Sequence, residues 1–169
     1  AVMVFDVLIG VLIAVGLSLL VALGRIARPH ESILGAGQDL DGWVDAETYP
    51  NARTLPGLLV YRFDAPLFFA NAERYRDRLQ QLVEENPGEE EWLVLDFEGV
   101  GEADTTAIDM LAELLAEHQG AGRVVAIARA NERVLQRLER GDLLEPTGSV
   151  VVYPTINSAV RAFQSRPAS

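Results

Sequence analysis

Cysteine is absent from the 169 residues, which excludes disulfide frameworks, thiolate metal sites and cysteine nucleophiles. Lysine is absent too: all 14 basic residues are arginine, set against 25 acidic ones for a formal charge of −11. Such a chain offers no basic stripe to a phosphate backbone, so nucleic acid is excluded as a partner. The two histidines, His30 and His118, lie far apart in sequence without a Ser or Asp at a telling spacing. Neither a catalytic triad nor a histidine-based metal site can be assembled from them. Glu84, Glu85, Glu89, Glu90 and Glu91 form an acidic run around Pro87–Gly88, but the fixed spacing of a calcium loop is missing. No metal or cofactor is expected, and no nucleophile–base pair points to an enzyme.

What the chain has in quantity is apolar residues, 49 % of the total, enough for a packed core in one domain plus an appendage. It opens with "AVMVFDVLIGVLIAVGLSLLVAL" and reads as a piece of something longer. Val7 to Leu23 carries no charge and no proline. As a helix at about 1.5 Å per residue it reaches roughly 25 Å, and roughly 33 Å once Val2 to Phe5 are included. That length predicts a transmembrane helix over residues 1–28; the rival reading, a secretory signal, lacks a basic n-region and a clear cleavage pattern. Asp6 falls near the start of the span, where it could reach the membrane–water interface or point into a protein-lined cavity. Arg25 and Arg28 follow the span, and flanking positive charge predicts that the remainder is cytoplasmic. Beyond residue 30 the chain is more acidic still, so an anionic leaflet would repel it.

Residues 29–56, rich in Gly, Pro and Asp, read as a connecting segment with room for a first strand near its middle. Trp43 and Tyr49 are its large aromatics, expected to pack onto the domain. From residue 57 to 169 strand-like and helix-like stretches alternate. "GLLVYRF" (57–63), "EWLVLDF" (91–97), "RVVAIAR" (123–129) and "SVVVYP" (149–154) are short, apolar and rich in β-branched residues, as buried strands are. Between and after them come four stretches with apolar residues at helical spacing. Asn71 is expected to cap the first and Pro87–Gly88 to stop it; Gly120 closes the second, Gly141 the third, and Thr155 begins the fourth. Strand–helix repeated four times, with right-handed crossovers, predicts an α/β fold: a small, mainly parallel sheet flanked by helices.

In such a sheet, ligands and partners meet the chain beyond the carboxyl ends of the strands. "VLDFEGVGEADTTAIDML" leaves a strand at Asp96 and enters a helix near Thr105, so Asp104, Thr105 and Thr106 fall at a helix N-terminus. Three roles are open to the threonines at that spacing. One hydroxyl can cap the helix by accepting the N–H of the second or third residue, with no function implied. An anion can bind the free N–H groups, although "GVGEAD" lacks a P-loop lysine and a third fingerprint glycine, and Glu98, Glu102 and Asp104 would repel it. A hydroxyl can also accept a phosphoryl group, adding about −1.5 to −2 charges beside Asp104 and Asp109. Elsewhere, Phe63, Leu67, Phe68 and Phe69 in "YRFDAPLFFANAE" read as core and strand-edge packing, and Arg62 could pair with Asp64.

The runs "PGLLVYRFDAPLFFANAERYRDRL", "VLDFEGVGEADTTAIDMLAEL" and "YPTINSAVRAF" together closely resemble the cytoplasmic STAS domain of bacterial sulfate-permease-family (SulP) anion transporters. The leading apolar run looks like the last transmembrane helix that those transporters place before the domain, and "NPGEE" resembles the short connection of their compact bacterial form. The resemblance implies a homodimeric secondary transporter of sulfate, bicarbonate or a related anion in the cell inner membrane. This chain would then supply a non-enzymatic regulatory and assembly domain, partnered by the membrane domain of the same transporter. The family's Asp-Ser-Ser-Gly signature falls on Asp104, Thr105, Thr106 and Ala107, with threonine for both serines and alanine for glycine. In soluble anti-sigma-factor antagonists a serine of that signature is phosphorylated by a partner kinase, which makes Thr106 the phosphoacceptor by resemblance. A free-standing phosphoswitch of that kind is the alternative function. A regulatory protein or a nucleotide is a further candidate partner, the latter contacted by Phe63, Asn71 and Thr105 in the two loops concerned.

Overall fold

The computed structural model describes residues 2–26, 29–37, 42–85, 91–144 and 150–165. It begins with helix α1 (Val2–Ile26), as the uninterrupted apolar run leads one to expect. Side chains in this helix are described over residues 7–22, roughly 24 Å of helix, and all of them are exposed. Among the described residues no helix is long and apolar enough to cross a membrane; Val2–Ile26 is a helix here, and the structure does not establish a span. The side chains of Asp6, Arg25 and Arg28, from which depth and orientation were read, lie outside the described residues, as does the whole of "NPGEE" with Pro87–Gly88.

A six-stranded sheet follows, built from β1 (His30–Ala36), β2 (Trp43–Asp45), β3 (Leu58–Asp64), β4 (Trp92–Asp96), β5 (Val124–Ala128) and β6 (Val151–Tyr153). The strands lie in the order β2-β1-β3-β4-β5-β6. Strands β3 to β6 are parallel neighbours, whereas β1 runs antiparallel to both β2 and β3. The parallel part is the expected strand–helix series, with α2 (Ala72–Glu85), α3 (Thr105–Gly120), α4 (Glu132–Arg140) and α5 (Ile156–Gln164) as its helices.

The antiparallel part comes from residues that read as a connection. "HESILGA" carries few strand-forming side chains, so its local propensity is weak. Its pairing is tertiary: Ile33 lies opposite Tyr61, and Glu31 opposite Phe63. Residues 52 and 53 then cross so close to Gly35 that a Cβ there would lie 3.0 Å from that of Ala52. Backbone bonds exchanged between Ala36 and Arg53, at 2.8 and 2.9 Å, hold the crossing.

Alternate residues of the central strands divide the core into two layers, as the pleat requires. Leu59, Tyr61, Phe63, Leu93, Leu95, Val125 and Ile127 pack against α2, α3 and α4. Leu58, Val60, Val94, Ala126 and Ala128 face the other way, onto Ile156, Ala159, Val160 and Phe163 of α5. Trp43 joins this second layer, and its indole N–H donates to Asn157 Oδ1 at 2.7 Å, tying β2 to α5. Three helices therefore cover one face and one covers the other, leaving the carboxyl ends of β3, β4 and β5 to carry the loops 65–71, 97–104 and 129–131.

Candidate functional site

Two of those loops are stitched together along their backbones. Leu67 N–H donates to Glu102 C=O at 2.9 Å and Asp104 N–H donates to Leu67 C=O at 3.0 Å. Asp104 completes the joint with its side chain: Oδ1 accepts the N–H of Ala107 at 2.8 Å, and Oδ2 accepts the N–H of Phe69 at 2.9 Å. One carboxylate thus caps α3 and anchors the neighbouring loop. The first of these bonds corrects the reading of a threonine as the cap. A carboxylate at the N-cap satisfies a free N–H and also places negative charge at the positive end of the helix, and a hydroxyl does only the first.

With the cap supplied by Asp104, Thr105 and Thr106 are the first two residues of the helix proper, and both are exposed. Asp104 itself is partly buried between the loops. Phe63 and Asn71 are elsewhere: both are fully buried. Phe63 packs edge-on against Tyr75 with ring centroids 5.1 Å apart. Asn71 stands one residue before α2, the position expected of a cap, yet its side chain turns back into its own loop. Its Oδ1 accepts the N–H of Phe68 and its Nδ2 donates to Pro66 C=O, each at 2.9 Å. The structure therefore brings Asp104, Thr105 and Thr106 together at one exposed helix start, and it separates Phe63 and Asn71 from that surface.

A charged network at the carboxyl end of β4 was not foreseen. Asp96 is fully buried, and both of its oxygens accept from Arg129, whose Nε lies 2.9 Å from Oδ1. Glu98 joins Arg129 at 2.8 Å and Arg62 at 3.1 Å, while Arg62 Nε donates to Asp64 at 2.7 Å. The Arg62–Asp64 pair anticipated from sequence is thus one link of a five-membered set. Arg129 reaches the set with φ at 59°, in the left-handed region, a strained conformation for a side chain of this size. The available signal was Asp96 itself, a carboxylate ending an apolar strand, since a buried charge demands a partner. Nothing local identified that partner as Arg129. Gly99 completes the corner: a Cβ there would stand 2.6 Å from Asp64 Cα and 2.8 Å from Phe63 C=O, so only glycine fits.

The helix opposite end holds His118, buried with neither ring nitrogen hydrogen-bonded. Burial holds its pKa below the usual histidine value and nearby Arg123 lowers it further, against an opposing contribution from Glu117. Among the described residues no group of His, Asp or Glu side chains is placed to hold a metal ion.

The STAS domain family profile matches residues 49–159. A Mycobacterium tuberculosis protein named "Probable sulfate transporter Rv1739c" is 43% identical over 166 residues, which is 98% of this chain and 30% of that protein. The murine anion transporter Solute Carrier 26 family member A9, in its inward-facing state, superposes with a TM-score of 0.81 at 26% identity, covering 93% of this chain and 26% of that one. The STAS domain of a SulP transporter from Vibrio cholerae superposes with a TM-score of 0.54 at 25% identity, over 71% of this chain and 94% of that one. The chain spans less than a third of the length of the first curated relatives it matches.

Proposed function

The chain belongs to the STAS domain family, and from that premise we propose that it is the cytoplasmic regulatory and assembly domain of a sulfate-permease-family secondary anion transporter. The observation that carries this reading is the extent of the likeness to the mycobacterial relative. An alignment over 98% of the chain takes in α1 as well as the sheet. Helix α1 is then the last membrane-spanning helix, residues 1–28, with Arg25 and Arg28 holding the cytoplasmic end. Residues 57–169, together with the strands contributed from 29–56, hang below the inner membrane. Two copies assemble as a homodimer, and the nearest partner of each domain is the membrane part of the same transporter. The transported anion is sulfate, bicarbonate or a relative of these.

Within this reading Asp104, Thr105 and Thr106 form a charge-sensitive regulatory site without catalysis. The threonine hydroxyls are exposed and are not needed to cap the helix. A phosphoryl group on Thr106 would bring about two negative charges next to the carboxylate that joins the loops. Repulsion would push Asp104 away from Phe69 N–H, and the phosphate oxygens would compete for the helix N–H groups. The loop 65–71 would loosen from α3, altering the surface offered to the membrane domain or to a regulatory protein.

Radiolabelled sulfate and bicarbonate uptake by the full-length parent protein in proteoliposomes tests both parts. Uptake by the wild type that is retained in Thr106→Ala and changed in Thr106→Glu is the expected result. Equal uptake in all three would remove the regulatory role, and no uptake of either anion would remove the transporter reading.

A further inference from the structure

Arg133, Arg137 and Arg140 are spaced by four and three residues along α4 and so share a face. A cavity of about 500 Å³ opens between that face and the stitched loops, lined by these arginines and, across from them, by Leu67, Phe68 and Asp104. The volume lies within the roughly 300–1,000 Å³ of small-molecule sites. Its carboxylates are already engaged: Asp104 by the N–H groups of Ala107 and Phe69, and Glu102, also in the lining, by Arg133 at 3.2 Å. The side chains of Arg137 and Arg140 form no ion pair among the described residues. In a chain of net charge −11 the lining sets three arginines against two carboxylates, an excess of one positive charge, and the guanidinium groups of Arg137 and Arg140 pair with neither carboxylate among the described residues.

The facing wall is apolar. Leu67 is buried, and Phe68 is half-buried with its ring edge-on to that of Phe69 at 5.6 Å. Both rims are held by asparagines. Asn71 secures Phe68 and Pro66, and Asn131 caps α4 at Val134 while donating to the carbonyls of Val100 and Gly101, each at 3.0 Å. A rim fixed in this way spares a ligand the entropy cost of ordering it. Thr105 and Thr106 do not line the cavity, which shares only Asp104 with the helix start discussed above.

Two guanidinium groups present planar forks suited to the oxygens of a doubly charged tetrahedral group, and the opposite wall suits a flat apolar body. We propose that this cavity binds a small phosphate monoester, its phosphoryl group between Arg137 and Arg140 and its organic part against Phe68 and Leu67. The two anionic oxygens of a phosphate monoester near neutral pH can each meet one of the two unpaired guanidinium groups, and inorganic phosphate shares the head but not the body.

The test uses the 169-residue chain in nanodiscs of zwitterionic lipid, titrated calorimetrically at fixed ionic strength with phenyl phosphate, inorganic phosphate and phenol. Saturable binding of phenyl phosphate, weaker binding of inorganic phosphate and none of phenol are expected. The double variant Arg137→Gln/Arg140→Gln should weaken phenyl phosphate by about tenfold or more for each charge-assisted contact removed. Phe68→Ala should bring phenyl phosphate down to the affinity of inorganic phosphate. Both arginines are exposed, so the double variant should keep the wild-type Tm without ligand, and the Tm of both variants is measured alongside. No saturable binding of phenyl phosphate, unchanged affinity in the double variant, phenol binding as tightly as its phosphate, or a Phe68→Ala variant that still prefers the ester would each overturn the assignment.

Discussion

Asp104 carries two jobs with one carboxylate, and the threonines beside it carry neither. This division makes a direct prediction. Asp104→Ala removes the cap of α3 and leaves Phe69 N–H without its acceptor, so it should cost about 2 kcal/mol, the sum of a cap and a charged hydrogen bond. Thr105→Ala and Thr106→Ala touch exposed positions and should each stay within about 0.5 kcal/mol of wild type. Urea unfolding followed through Trp43 and Trp92 measures all three. A loss near 1 kcal/mol in either threonine variant, with Asp104→Ala unaffected, would return the cap to a hydroxyl.

At the scale of the element, α3 is asymmetric. Its N-terminus is capped by the Asp104 carboxylate, whereas near its C-terminus the imidazole of His118 is buried with both nitrogens unpaired. Because burial, with Arg123, lowers the pKa of His118 in the folded state below 6.5, the unfolded chain binds more protons at mildly acidic pH. Stability is then full above the unfolded value and is lost as pH falls through and below it. Between pH 7.5 and pH 5.5 the loss from this group cannot exceed about 1.4 kcal/mol, the cost of protonating an ordinary histidine one unit above the working pH. His118→Leu should flatten that part of the profile, since leucine has no proton to gain. Urea midpoints of the two proteins across this range decide it, and equal slopes would show that other groups set the acid sensitivity.

On the scale of the whole molecule, α1 and the α/β sheet differ in what they leave unburied. The sheet buries both faces, one under α2, α3 and α4 and the other under α5. Helix α1 leaves its apolar side chains exposed from Val7 to Val21, Leu12 at 63% and Leu20 at 65%, and an exposed apolar surface of that extent calls for lipid or protein to cover it. The chain should therefore float with lipid vesicles in a density gradient. Ile13→Arg, a charge in the middle of the helix, carries an insertion cost of about 2.5–3.5 kcal/mol and should shift the chain markedly toward the unbound fraction. Flotation unchanged by that substitution would mean that α1 is covered by protein and not by lipid.

The sequence by itself determined everything that depends on local pattern. Short β-branched runs, helical spacing of leucines and the cap at Thr155 placed four strand–helix units almost residue by residue, because period and capping are short-range properties. The absences of cysteine, lysine and paired histidines were equally decisive. Only the tertiary structure could recruit "HESILGA" into a strand, since its partner Tyr61 lies far along the chain and its own side chains argue weakly for extension. Only it could choose among Asp104, Thr105 and Thr106 as the cap, because the second bond that favours Asp104 comes from Phe69 in another loop. The pairing of Asp96 with Arg129 and the gathering of α4 arginines opposite Phe68 belong to the same class: they join residues that share no local pattern, and the packing of helices on the sheet brings them within reach.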